Sequence, residues 1–133
     1  MNKKITNSLV WLRRDLRLYD HNALSKALLN SSAVYCCFIF DIAILNKLKN
    51  KEDRRIDFIW NSLKQIKAKL KKFGSDLIVE IGDPVFLIPF LIEENKCDAL
   101  FINKDYEEYP KKRDKKISSI LIKKNIETFA YKD

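Results

Sequence analysis

The chain has 133 residues, of which 47% are hydrophobic, 33% charged and 11% aromatic, with two Gly, three Pro and a net charge of +8. That length suits one domain, and so apolar a composition excludes disordered, collagen-like and low-complexity chains, because enough side chain is available to offset the entropy of ordering. The basic balance suits an anionic partner such as nucleic acid, although 20 of the 26 basic residues are Lys, a common solubilising choice.

The first apolar run, Leu9-Val10-Trp11-Leu12, stops at Arg13-Arg14-Asp15. It falls far short of the ~20 residues of a membrane span, so no membrane association and a cytosolic location are expected. Residues 8–12 read instead as a strand buried on both faces. Asp20 is the expected N-cap of a helix through Ala23, Leu24, Ala27 and Leu28. Residues 33–40 form a second buried strand. Its Cys36 and Cys37, with Cys97 later, have no metal-ligand spacing and read as reduced, buried apolar residues.

A long amphipathic helix is expected over residues 53–73, with Ile56, Ile59, Trp60, Leu63, Ile66, Leu70 and Phe73 on its buried face and Gly74 as its left-handed cap. Lys64, Lys67, Lys69, Lys71 and Lys72 lie on its other face, a solvated one. Residues 77–81 give a third strand. Gly82-Asp83-Pro84 then opens a helix, with Asp83 as N-cap and Pro84 in its first turn. Pro89 requires that helix to start later or to kink. Residues 99–102 are a fourth strand, 110–124 a helix burying Ile117, Ile120 and Leu121, and 127–131 a fifth strand.

Strict alternation of strand and helix implies an α/β fold, a doubly wound, Rossmann-like five-stranded parallel sheet with right-handed crossovers and helices on both faces. Ligands of such sheets bind beyond the carboxyl ends of the strands, so the loops after Leu12, Phe40 and Ile102 are the places for a site. Two glycines in the whole chain exclude a Gly-rich dinucleotide fingerprint or phosphate loop. His21, the single histidine, has no clustered partners and is expected at the surface, at a helix start. The polar material after the strands is Arg13, Arg14, Asp15 and Arg17, then Asp41, then residues 103–109.

Residues 8–24, SLVWLRRDLRLYDHNAL, closely resemble the opening of the DNA photolyase/cryptochrome family. Further landmarks of that family follow in order. They are Phe38-Ile39-Phe40-Asp41, Arg54-Arg55 with Phe58 and Ser62-Leu63, Gly74-Ser75, Gly82-Asp83-Pro84, and Asn103-Lys104-Asp105-Tyr106-Glu107-Glu108-Tyr109 with Arg113-Asp114. The resemblance covers essentially the whole chain and agrees with the architecture read from periodicity.

The resemblance implies an amino-terminal α/β antenna domain of a photolyase-like DNA repair protein, holding a light-harvesting chromophore and docking on a helical flavin domain. FAD and the repair chemistry belong to that helical domain, for which 133 residues leave no room, so this chain alone is expected to be inactive in repair. If the flavin domain is encoded separately, it is the expected partner. DNA is expected to bind only weakly and non-specifically.

The candidate chromophore-binding residues are Arg13, Phe40, Asp41, Asp105 and Tyr109. In folate-type antenna domains of the family an Asn-Glu pair contacts the pigment, and the aligned positions here are Tyr109 and Pro110, so a deazaflavin- or flavin-like ring is favoured over folate. Two other readings stay open: a free-standing nucleotide-binding α/β protein, and a degenerate remnant that folds and binds nothing.

Overall fold

Five strands and five helices follow one another in the computed structural model, which describes residues 5–47 and 54–132. In chain order they are β1 (Ile5–Leu12), α1 (Asn22–Asn30), β2 (Ser31–Asp41), α2 (Ile42–Lys47), α3 (Arg54–Lys72), β3 (Leu77–Gly82), α4 (Pro84–Glu94), β4 (Ala99–Asn103), α5 (Glu108–Ile122) and β5 (Glu127–Tyr131). All neighbouring strands are parallel, in the order β3-β2-β1-β4-β5. The expected doubly wound α/β sheet is therefore the observed one.

Successive side chains of a strand point to opposite faces, and the sheet uses that alternation to feed two cores. Val10, Leu12, Cys36, Phe38, Phe40 and Phe101 join Leu24 and Ala27 of α1 and Leu63 and Ile66 of α3. Leu9, Trp11, Cys37, Ile39, Leu100 and Ile102 join Ile88, Leu91 and Ile92 of α4 and Ile117 and Leu121 of α5. The three cysteines are free and buried, and burial pushes the Cys36 and Cys97 thiols up to about 12, so they serve as apolar filling.

Local departures from expectation have identifiable causes. The N-cap of α1 is His21 and not Asp20: its buried ring accepts the Leu24 N–H through Nδ1 at 3.0 Å, while Asp20 is exposed at φ 48°. Residue 53, the expected start of the long helix, lies outside the described residues. That helix ends at Lys72, with Gly74 in the left-handed conformation at φ 77°, as anticipated. Phe73, expected on its buried face, is 84% exposed because it falls in the turn after the last helical residue.

The Asp83 carboxylate caps α4 by accepting the Val85 N–H at 3.0 Å, with Pro84 first in the helix. Assigned helix runs on through Pro89, held by the burial of Ile88, Leu91 and Ile92 around it, so the helix does not start later. The six-residue α2 was not anticipated. It is less than two turns long, too short for the apolar run Ile42-Ala43-Ile44-Leu45 to display a helical period.

Candidate functional site

The first strand leaves the sheet through a loop pinned by a buried polar trio. Asp15 accepts the Arg13 N–H at 2.8 Å and the Asn103 side-chain amide at 2.9 Å, and pairs with His21 Nε2. Asn103 in turn accepts the Ala23 N–H at 3.0 Å. All three side chains are buried, so the end of β1, the start of α1 and the end of β4 are tied at one point. Burial pushes the Asp15 carboxyl up, but its hydrogen bonds from His21 and the Arg13 backbone outweigh that and hold it below its ordinary 3.8. Both nitrogens of His21 are committed, Nδ1 to the cap and Nε2 to Asp15. The expectation that it lies at the surface is therefore corrected; the expectation that it starts the helix stands.

A second network joins β2 to α5. Asp41, the last residue of β2, accepts the Tyr109 hydroxyl at 2.8 Å and Arg113 Nη1 at 3.2 Å, while its other oxygen accepts the Ala43 N–H at 2.9 Å. Arg113 also donates to Asp114 at 3.3 Å, and Asp114 accepts Arg13 Nη1 at 2.7 Å. Arg13 Nη2 donates to the Asn103 carbonyl. The two guanidinium carbons each lie 4.7 Å from the centre of the Trp11 ring, a cation–π arrangement. The Tyr109 phenol is pushed up to about 12, first by burial and then by the Asp41 carboxylate, so it stays protonated and donates.

Trp11, Arg13, Asp41, Tyr109 and Arg113 of the second network form one wall of a cavity of about 520 Å³ at the carboxyl edge of the sheet. The structure places all five sequence-predicted residues on its lining: Arg13, Phe40, Asp41, Asp105 and Tyr109. The rest of the lining includes Ile44 and Leu45 of α2, Ile56, Phe58 and Ile59 of α3, and Trp11 and Arg113. Phe40 sits between Phe38 at 4.9 Å and Trp60 at 6.4 Å, ring centre to ring centre. At the rim Arg14 pairs with Glu107, both exposed. Trp11 Nε1 is buried and has no hydrogen-bond partner among the described residues.

Arg113 and the α2 residues were missed by sequence reasoning. Arg113 was available from spacing, since it lies four residues after Tyr109 and so on the same helix face. Asp41 and Arg13 are internally satisfied, no metal-binding cluster of His, Cys, Asp or Glu occurs among the described residues, and no helix there is long and apolar enough to cross a membrane.

Strand order and the two cores define an α/β domain of the doubly wound class, whose ligands generally bind beyond the carboxyl ends of the strands, where this cavity lies. The sequence pattern of the DNA photolyase family matches residues 8–133, and the chain belongs to that family. The deoxyribodipyrimidine photo-lyase of Synechococcus sp. is 32% identical over 113 residues, covering 85% of this chain and 23% of that protein. Cryptochrome-1 of Spalax judaei is 30% identical over 121 residues, 91% of this chain and 20% of its own.

Among solved structures, the archaeal photolyase of Sulfolobus tokodaii superposes with a TM-score of 0.81 at 30% identity, covering 96% of this chain and 29% of that one. That structure was described with two FAD molecules and with the implication of a novel light-harvesting cofactor. The chain thus spans about a fifth to under a third of the relatives it matches, corresponding to their amino-terminal domain.

Proposed function

We propose that this domain holds a flat light-harvesting pigment of the flavin or deazaflavin type in the cavity at the carboxyl edge of the sheet. The observation that carries the reading is the convergence of Phe40 and Tyr109, from β2 and α5, on one largely apolar cavity of about 520 Å³. That volume lies within the ~300–1,000 Å³ of small-molecule sites. The S. tokodaii photolyase, with its two FAD molecules, supports the choice of ring. When bound, the pigment supplies light absorption and passes on excitation energy; the protein makes and breaks no bond.

The chain's own residues have binding tasks. Phe40, Ile44 and Ile59 offer apolar surface to a ring, and Asp41 and Arg113 hold Tyr109 beside it. Asp105 and Arg13 are the polar groups that face its edges, and Trp11 Nε1 is an unpaired donor of the kind a ring carbonyl satisfies. Folate is disfavoured. Pro110, buried on the cavity wall, has neither an N–H nor a carboxylate to offer. Losing a buried hydrogen bond to a charged group costs about 1.5–3 kcal/mol, roughly ten- to a hundred-fold in affinity.

The receiver of the energy is proposed to be a photolyase-type flavin domain docked over the cavity mouth, in keeping with the small share of its relatives that this chain spans. The test is titration of the purified chain with FMN, a deazaflavin and a reduced folate, followed by pigment fluorescence. The flavin-type rings are expected to bind at least about tenfold tighter than folate, and Tyr109→Ala to weaken them. Folate binding as tightly, or full flavin-type affinity in Tyr109→Ala, would overturn the assignment.

A further inference from the structure

Residues 73–95 contain no Lys or Arg, in a chain where 26 of 133 residues are basic, and they hold the acids Asp76, Glu80, Asp83, Glu93 and Glu94. This stretch supplies β3 and α4. The inner side of α4 is settled by Ile88, Leu91 and Ile92, which pack into the second core, so its outer side carries Phe86, Phe90 and Glu93 at four- and three-residue spacings. The two rings are 69% and 48% exposed and stack on each other, with 6.3 Å between centres and 10° between planes. They form an apolar crest on a helix that faces water.

The two flanks of the crest differ in charge. Leu87 leans on β3, its Cδ1 only 2.8 Å from where a Cβ at Gly82 would stand, and Asp83 and Glu94, four residues before and seven after Leu87, share that side of the helix. Glu80 points to the same face of the sheet as α4, because it lies two residues along β3 from Ile78, which packs on the second core. Glu80, Asp83 and Glu94 are exposed and form no ion pair among the described residues, whereas Asp76 is paired with Lys67 at 2.8 Å. Toward α5 the flank is mixed, since Glu93 borders a hollow shared with Lys96 and Lys124. The acidic flank is therefore the one beside β3.

We propose that the solvent face of α4 docks a basic amphipathic helix of a partner protein, with apolar side chains one turn apart on Phe86 and Phe90 and with Lys or Arg turned toward Glu80, Asp83 and Glu94. Charge complementarity sets the sign of the partner, because charges beside an apolar contact fix register and reject like-charged surfaces. Exposed area sets its size. Aromatic side chains bring about 150–250 Å² each, so rings exposed to this degree offer roughly 200–300 Å², against the ~800 Å² per partner of a standard interface between folded proteins. A single helix read through anchors one turn apart suits so small a surface. A second copy of this chain fits worse, because pairing two crests brings like acidic flanks together. No residue of α4 lines the cavity, so the proposal does not depend on the pigment reading.

The experiment is fluorescence anisotropy of two labelled synthetic peptides titrated with the full chain. Both are Ala-based helices of about 18 residues with Leu four apart along one face, the leucines flanked by Lys in one peptide and by Glu in the other. The Lys peptide is expected to bind about tenfold tighter, although the net charge of +8 alone would favour the Glu peptide. Phe86→Ser with Phe90→Ser should weaken the Lys peptide about tenfold or more, and Phe58→Ser, at the cavity mouth, should leave it within about twofold. Glu80→Lys with Glu94→Lys should reverse the preference between the peptides, a readout that stands even where the ring variant fails to fold. Equal or tighter binding of the Glu peptide would overturn the proposal. So would a Lys-peptide Kd weaker than about 1 mM, an affinity unchanged in the ring variant, or a preference kept in the charge variant. Self-association in sedimentation velocity that the ring variant abolishes would make a second copy the occupant, and the proposal would fail.

Discussion

Tyr109 donates its hydroxyl proton to Asp41 across 68 residues of chain, at 2.8 Å, and Arg113, one turn further along α5, holds the same carboxylate oxygen at 3.2 Å. One acid at the end of β2 thus fixes two side chains of a helix from the other half of the sheet. The cavity wall between them is as rigid as that pair of bonds.

The first prediction tests the weaker bond. Tyr109→Phe removes the hydroxyl but leaves Asp41 paired with Arg113, so the expected loss is about 1 kcal/mol, because the half-exposed phenol keeps water as an alternative partner. The pH dependence follows from the raised phenol. Its contribution is present below about pH 10, where the unfolded phenol titrates, and is lost as pH rises through about 12. A tyrosinate absorbance titration should lose one late-titrating group in the variant. If the group lost titrates near 10, the bond to Asp41 is not formed in solution.

The stronger bond gives a larger effect. In Asp41→Ala the Arg113 guanidinium, 4% exposed, keeps only Asp114 as a carboxylate partner, and stranding a buried charge costs about 3–5 kcal/mol. Asp41→Asn retains an acceptor for Tyr109 and should lose less. Urea denaturation of the three proteins measures both losses, and an Ala variant within about 1 kcal/mol of the parent would contradict the burial of the pair.

The strands, their parallel order and the edge that bears the cavity were legible because strands buried on both faces leave continuous apolar runs that polar loops interrupt. The five candidate residues were named partly by the same logic, as polar or aromatic groups at or after such a run, and partly from the family resemblance; all five line the one cavity. What escaped was decided by tertiary contact. His21 and Asp20 are both sound caps locally, and only the buried Asp15 and Asn103 make the imidazole the one that turns inward. Arg113 reads as one more cation in a basic helix until Asp41 is brought to it from 72 residues away. Phe73 reads as the last apolar residue of its stripe, yet the helix stops one residue short of it.

The Asp15 carboxyl supplies an acid-range prediction. Its folded value is held below the usual 3.8, so its contribution to stability is present above about pH 4 and is lost as pH falls through the folded value. Asp15→Asn keeps the shape of the loop but removes the ionisation. The variant should be less stable at pH 7 and should show a flatter acid limb when melting temperature is followed from pH 6 to pH 2. Superimposable acid limbs would show that the carboxylate has no stabilising part in the trio.

The mouth of the cavity carries the last prediction. Ile42 and Ile44 of α2 and Phe58 of α3 are 46%, 40% and 70% exposed, and Ile44 and Phe58 also line the cavity. Monomeric domains rarely leave contiguous apolar patches beyond a few hundred Å² in water, and larger ones mark surfaces that another protein covers. None of the described residues covers this rim, so mass action favours contact between two such rims as concentration rises. Sedimentation velocity should therefore show concentration-dependent association, and Phe58→Ser, which replaces an exposed ring with a small hydroxyl, should reduce it without lowering the melting temperature. A co-expressed photolyase-type flavin domain should suppress the self-association and co-purify with the chain, because it competes for the same rim. A monodisperse monomer at high concentration, unaffected by Phe58→Ser, would remove the rim as a docking surface and leave the cavity to close on its pigment unaided.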